Sequence, residues 1–159
     1  MTNTFNKIRY IELLKKDQRL QSKNSSLYKE DKIEYRELLS YGVILYNQIL
    51  YNRKQYYISL IEKYVTNEID SFLLRIQFFQ INREDKKIKE DVEKNFERLS
   101  NVLTDSKSDE FSMLITDIFD ACEALKLDSE PEEAYGITEL RFRAFLEKTF
   151  LQMKKYSDE

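Results

Sequence analysis

Histidine and tryptophan are absent from this 159-residue chain, and cysteine and proline occur once each beside two glycines. Each scarcity closes off a class of structure or chemistry. Without histidine the chain lacks the commonest general base and the commonest metal ligand. It also lacks the Glu-x-x-His pairs with which helix bundles hold two metal ions. The one cysteine, Cys122, allows no internal disulfide, suits a reducing compartment, and cannot supply the several Cys or His ligands of a zinc site. The glycines stand alone at 42 and 136, so there is no glycine-rich phosphate loop. Tight hairpins want Gly or Asn-Gly at their turns. So few turn formers point to an all-α fold joined by polar connections, and no cofactor is expected.

Long apolar runs are missing too. Nothing approaches the ~18–20 residues needed to span a bilayer, and Met1 to Arg9 has no signal-peptide core. The expected compartment is the cytoplasm of a bacterium, or the soluble compartment of an AT-rich organelle such as a plastid. Richness in Lys, Ile, Tyr and Asn prompts the second half of that expectation. Hydrophobic residues make up 42% and charged residues 35%, well away from the composition of disordered chains.

Charge is unevenly placed. Residues 1–100 carry 19 basic and 15 acidic side chains, whereas residues 101–159 carry 7 basic and 14 acidic. Within 105–139 only Lys107 and Lys126 face 11 acidic groups. Such a surface repels nucleic acid and attracts basic partners. A solvated helix face with an acidic loop would have the same composition.

Periodicity divides the chain. Phe5 to about Lys23, with Ile8, Ile11, Leu13 and Leu14, reads as a helix with a narrow apolar stripe, peripheral to the core, followed by a polar connection. Residues 1–26 are therefore one unit and 27–159 a helical bundle domain. From Tyr35 to Val65 the segment is either one long helix or two helices meeting near Asn52, and the rhythm barely breaks there, which favours one continuous or bent rod. Thr66-Asn67-Glu68 is a stop, and Asp70 or Ser71 can cap the next helix, which carries Phe72, Leu73, Ile76 and Phe79. That helix either runs on to about residue 103 or is interrupted by the polar stretch 82–87. After a break at 104–108, Phe111, Leu114, Ile115, Ile118, Phe119, Cys122 and Leu125 form the cleanest apolar stripe in the chain. Asp109, Thr116, Asp117, Asp120 and Glu123 fall opposite it. A last helix is capped by Thr138 and offers Leu140, Ala144, Phe145, Thr149, Leu151 and Tyr156 to the core.

The candidate chemistry is sparse. Cys122 sits on the apolar stripe with no histidine to activate it, which reads as buried and inert. Asp117, Asp120 and Glu123 leave carboxylate catalysis formally open, although carboxylate enzymes seat such groups in a cleft with raised pKa values. Tyrosines 35, 41, 46, 51, 56, 57 and 64 lie among Arg36, Arg53 and Lys54, a pattern that can stack on single-stranded nucleic acid. The negative charge favours tyrosine as a core residue with its hydroxyl at the surface.

The run Tyr56-Tyr57-Ile58-Ser59-Leu60-Ile61-Glu62-Lys63-Tyr64-Val65-Thr66-Asn67-Glu68-Ile69 resembles the opening helix of the colicin D immunity-like family. Ser108 to Cys122 is similar to the third helix of that family, and Ile137-Thr138-Glu139-Leu140-Arg141 to its entry into the final helix. The match covers about residues 56–156 and omits an N-terminal helical extension and the charged segment Asn82–Asn101. The resemblance implies an antiparallel four-helix bundle that is not an enzyme. It would block a tRNA-cutting toxin by covering a basic active site as an acidic mimic of substrate. By residue matching, the partner-binding surface is Asp117, Asp120, Glu123, Asp128, Glu130, Glu132 and Glu133, and the partner is a basic protein, with no direct contact to nucleic acid or membrane. The alternative is a helical interaction or assembly subunit with no toxin partner, docking through its Tyr-rich N-terminal region.

Overall fold

Asn6, Asp31, Asp70, Asn95 and Thr138 each stop a connection and start a helix by accepting a hydrogen bond from a backbone N–H in the turn that follows. The computed structural model describes residues 4–126 and 136–157. They form α1 (Lys7–Gln21), α2 (Leu27–Glu30), α3 (Lys32–Asn52), α4 (Lys54–Val65), α5 (Ser71–Lys94), α6 (Phe96–Ser100), α7 (Lys107–Ala124), α8 (Glu139–Met153) and a 3-10 turn (Lys154–Tyr156). The protein is all-α across these residues. None of these helices is long and apolar enough to cross a membrane.

The helices enclose two apolar clusters. The larger joins Leu50 and Tyr51 of α3 to Tyr57, Leu60, Ile61 and Tyr64 of α4. It continues through Leu74 and Phe78 of α5, Phe111, Ile115, Ile118 and Cys122 of α7, and Phe142, Leu146 and Met153 of α8. The smaller holds Tyr10, Leu45, Ile49, Val92 and Leu99, from α1, α3, α5 and α6. Helix α1 is thus no peripheral appendage: Tyr10 and Leu13 are wholly buried, and the exposed member of its expected stripe is Ile8. Arg9 clamps α1 to α3 with a two-pronged bond to Glu37, both distances 3.0 Å, and a third bond to Glu34 at 3.1 Å.

Two expectations about continuity are corrected. The 35–65 rod is two helices separated by the single residue Arg53, whose backbone leaves helical geometry at φ −105°, ψ 17°. The 70–103 segment breaks at Asn95 rather than at 82–87. The stretch that reads as polar all round instead buries Asn82 and Asp85. Asp85 accepts hydrogen bonds from the Arg53 guanidinium and the Tyr57 hydroxyl, so the break between α3 and α4 lies directly against α5. A residue between two helices has its guanidinium free to turn inward, and the buried carboxylate meets it.

Two helix faces are also corrected. In the first turns of α5 Leu74 and Phe78 are buried, while Phe72, Leu73 and Ile76 are exposed. On α8 Phe142, Leu146, Phe150 and Met153 turn inward with Thr149, while Leu140, Ala144 and Leu151 are exposed. Tyr156 is buried as expected. Of the tyrosines in the 35–64 stretch, Tyr51, Tyr57 and Tyr64 are core residues, and Tyr56 is the exposed one.

Burial pushes the Asp85 carboxyl above the ordinary 3.8, against the opposing pull of Tyr57 and Arg53. The folded chain therefore holds this proton more tightly than the unfolded chain. The stability this group contributes is greatest in acid and declines as pH rises from 3.8 through the raised value. Asp85→Asn is expected to remove that decline. Arg53→Met is expected to steepen it, costing up to about 3–5 kcal/mol near neutrality, where the carboxylate is left without its counter-charge. Urea unfolding of the three proteins from about pH 4 to about pH 7 reads out the sign.

Candidate partner-binding surface

Helix α7 divides cleanly into two faces because its apolar residues recur at three- and four-residue steps. Phe111, Ile115, Ile118 and Cys122 are buried, and Leu114 and Phe119 are partly covered. Aromatic edges hold this side in place. Phe111 meets Tyr51 and Tyr156 at centroid distances of 6.0 and 5.4 Å, and Phe119 meets Phe79 at 5.2 Å. Such edge-to-face pairs add to the burial of their area. At the start of the helix, the buried Gln48 side chain accepts a bond from the Asp105 backbone N–H at 2.6 Å. The base of the surface is anchored at both ends of α7.

The outward face carries Asp109, Met113, Thr116, Asp117, Asp120 and Glu123, all exposed. Its acidic groups fall into two sets. Those in the first turn have partners: Asp109 accepts from the Asn47 amide at 2.9 Å, and Glu110 accepts from the Tyr156 hydroxyl at 3.1 Å. A negative charge there also suits the positive end of the helix dipole. Asp117, Asp120 and Glu123 have no ion pair or side-chain hydrogen bond among the described residues. Glu123 lies in the last turn and Asp120 at its edge, where the dipole is negative and no basic residue is present, while Asp117 lies a turn further in.

Beyond Ala124 the backbone turns extended at Leu125, which forms a parallel bridge with Ile137. The Lys126 N–H donates to the Ile137 carbonyl at 2.9 Å, and the Ile137 N–H donates to the Ala124 carbonyl at 2.7 Å. Gly136 makes this possible: its φ is +149°, and a Cβ there would lie 2.6 Å from the Ala124 carbonyl oxygen. The chain leaving α7 and the chain approaching α8 are therefore held side by side at the acidic end of α7. The remaining expected contact residues, Asp128, Glu130, Glu132 and Glu133, lie outside the described residues.

The geometry offers little to chemistry at this face. Asp117 and Asp120 project from an exposed helix side, and no three Asp, Glu or Cys side chains among the described residues form a group able to hold a metal ion. Cys122 is fully buried, and burial pushes its thiol up to about 12. Met113, 67% exposed amid the carboxylates, went unremarked in the sequence, although its spacing from Asp109 and Asp117 places it there. Compared with known proteins, the chain matches no family model, no curated protein and no solved structure.

Two outcomes are expected. Cys122 resists a thiol reagent such as dithionitrobenzoate in the folded protein and reacts stoichiometrically once urea unfolds it; rapid labelling of native protein would contradict its burial. Glu123→Gln and Asp120→Asn leave the circular dichroism unchanged and raise the thermal midpoint slightly at low salt, since each removes a charge that opposes the dipole. The gain shrinks as salt is added.

Proposed function

We propose that this protein is a non-enzymatic, immunity-like inhibitor that binds a basic protein through the outer face of α7. The observation that carries the reading is the set of uncompensated carboxylates, Asp117, Asp120 and Glu123, on a helix whose opposite side is fixed in the core. Mutually repelling charges along one helix face weaken the free protein, and a basic partner would relieve them. A nuclease active site is such a partner, since it must be positive to hold phosphate, and a rigid carboxylate row can occupy it in place of nucleic acid.

The likeness to the colicin D immunity-like family supplies the rest of the proposal. An antiparallel four-helix core would consist of α4, α5, α7 and α8. Its support is that α4 packs on α5 and α8, while α7 packs on α8 and α5. Tyr64 reinforces one side of that ring by donating to Glu139 at 3.0 Å, with the Arg143 guanidinium 4.5 Å from its ring centre. In this reading α1 to α3 are a built-in extension, since Leu50 and Tyr51 enter the main core and α3 packs along α7. Deleting residues 1–50 would remove core side chains, so point variants are the cleaner probe.

Charge reversal by Asp117→Lys with Asp120→Lys is expected to leave the helical content intact and to abolish capture of a basic partner that the wild-type chain retains. Truncating a charge buried at such an interface costs about 2–5 kcal/mol, and wild-type association should slow steeply with salt. If the captured protein is a nuclease, adding the wild-type chain should stop its cleavage of RNA and adding the reversed variant should not. Equal capture by both proteins would remove the α7 face from consideration.

A further inference from the structure

A second surface has the opposite chemistry. Between α1, α3 and α5 runs an open groove of about 580 Å³, lined by Leu14, Leu38, Leu39, Gly42, Val43 and Tyr46, with lysines 86 and 89 on its α5 wall. From residue 38 to residue 46 the bed is about 12 Å long at helical rise. Leu39 is 49% exposed and Val43 58%, so the apolar bed lies open to water. Its volume falls within the range of small-molecule sites, which are mostly apolar with a few placed polar groups.

Gly42 is the second observation. It lies inside a 21-residue helix, where glycine is less favourable than alanine. The fold does not require it. A Cβ would meet Lys89 Nζ at 3.4 Å and the Tyr10 hydroxyl at 3.6 Å, which are ordinary contacts, and its φ is unremarkable. What the missing side chain does provide is depth in the groove floor.

The charges give the groove a direction. Lys89 is taken by Glu93 at 2.8 Å, and Glu93 also receives the Tyr10 hydroxyl. Asp17 accepts from the Leu27 backbone N–H at 2.8 Å. Lys86 has no carboxylate partner among the described residues, its ammonium lying 5.8 Å from the Phe119 ring centre. An anionic group is thus favoured at Lys86 and disfavoured beside Asp17 and Glu93.

We propose that this groove binds a single-chain amphiphile with an anionic head, a medium-chain carboxylate being the simplest member. The alkyl chain lies along Leu38, Leu39 and Val43, and the head meets the Lys86 ammonium. The probe is dodecanoate, titrated below its micelle threshold by calorimetry, with dodecanol as the neutral chain of equal length. Expected is saturable binding of one dodecanoate per chain, weakened about tenfold by Val43→Asp and by Gly42→Leu while circular dichroism is unchanged. Lys86→Glu should weaken dodecanoate and spare dodecanol. The proposal is overturned if binding fails to saturate, or if Val43→Asp and Gly42→Leu both bind as wild type does. It is equally overturned if Lys86→Glu weakens the acid and the alcohol alike. Co-sedimentation with phosphatidylglycerol vesicles without uptake of monomeric dodecanoate would assign the surface to membranes instead, and self-association through Leu39 and Val43 would assign it to a second copy.

Discussion

Asp85 is buried on α5 between Phe78 of the larger apolar cluster and Val92 of the smaller, and its charge constrains what can pack around it. A carboxylate taken out of water is costly unless it is paired and hydrogen-bonded. Here the Arg53 guanidinium and the Tyr57 hydroxyl meet it, from the break between α3 and α4 and from the first turns of α4. An unbroken helix through residue 53 would carry its side chains onward at fixed rotation. The one-residue break frees Arg53 to serve α5, while α3 packs on α1, α5 and α7 and α4 packs on α5 and α8. The Tyr46 hydroxyl is buried near the same centre, beside Asn82 and Asp85, and burial raises it to about 12. A polar centre of this kind limits how the helices can slide past one another, which an apolar core alone does poorly.

The acidic side chains of α7 show how context separates charge that stabilises from charge that is available. Asp109 and Glu110 sit at the favourable end of the dipole and bond to Asn47 and Tyr156. Asp117, Asp120 and Glu123 have neither advantage. Burial of Phe111, Ile115, Ile118 and Cys122 holds the helix against their repulsion, since each apolar side chain contributes about 1.5–3 kcal/mol on full burial. The core therefore tolerates an outward face that is poorly arranged for its own stability.

Helix α7 could be read from the sequence because its two sides differ chemically at every step, and the exposed placement of Asp117, Asp120 and Glu123 followed from that contrast. The caps at Asp70 and Thr138 were readable for a similar reason, being local oxygen acceptors placed just before apolar periods. Helices α5 and α8 were not readable in the same way. Phe72, Leu73, Leu74, Ile76, Phe78 and Phe79 put apolar groups on most of one circumference, so spacing recognises a helix without selecting its buried side. Asp85 was hidden for another reason: in a charged run it is one acid among many, and its partners lie 28 and 32 residues away. The groove escaped notice because it is a relation between α1, α3 and α5. Only the isolated Gly42 hinted at it.

Carboxylates at an exposed rim raise the rate of encounter with a positive surface more than they prolong the contact, because water and salt screen them once the partner moves away. A long-lived complex needs an apolar anchor that water leaves on binding. Met113 is the one large apolar side chain on the outer face of α7, and its unbranched thioether can adapt to an irregular partner pocket. It stands one turn before Asp117, on the side where Asp109 is hydrogen-bonded by the Asn47 amide. The charges and the candidate anchor are thus adjacent along one helix: under the proposed function Asp117, Asp120 and Glu123 would set the approach, and Met113 would hold the bound partner.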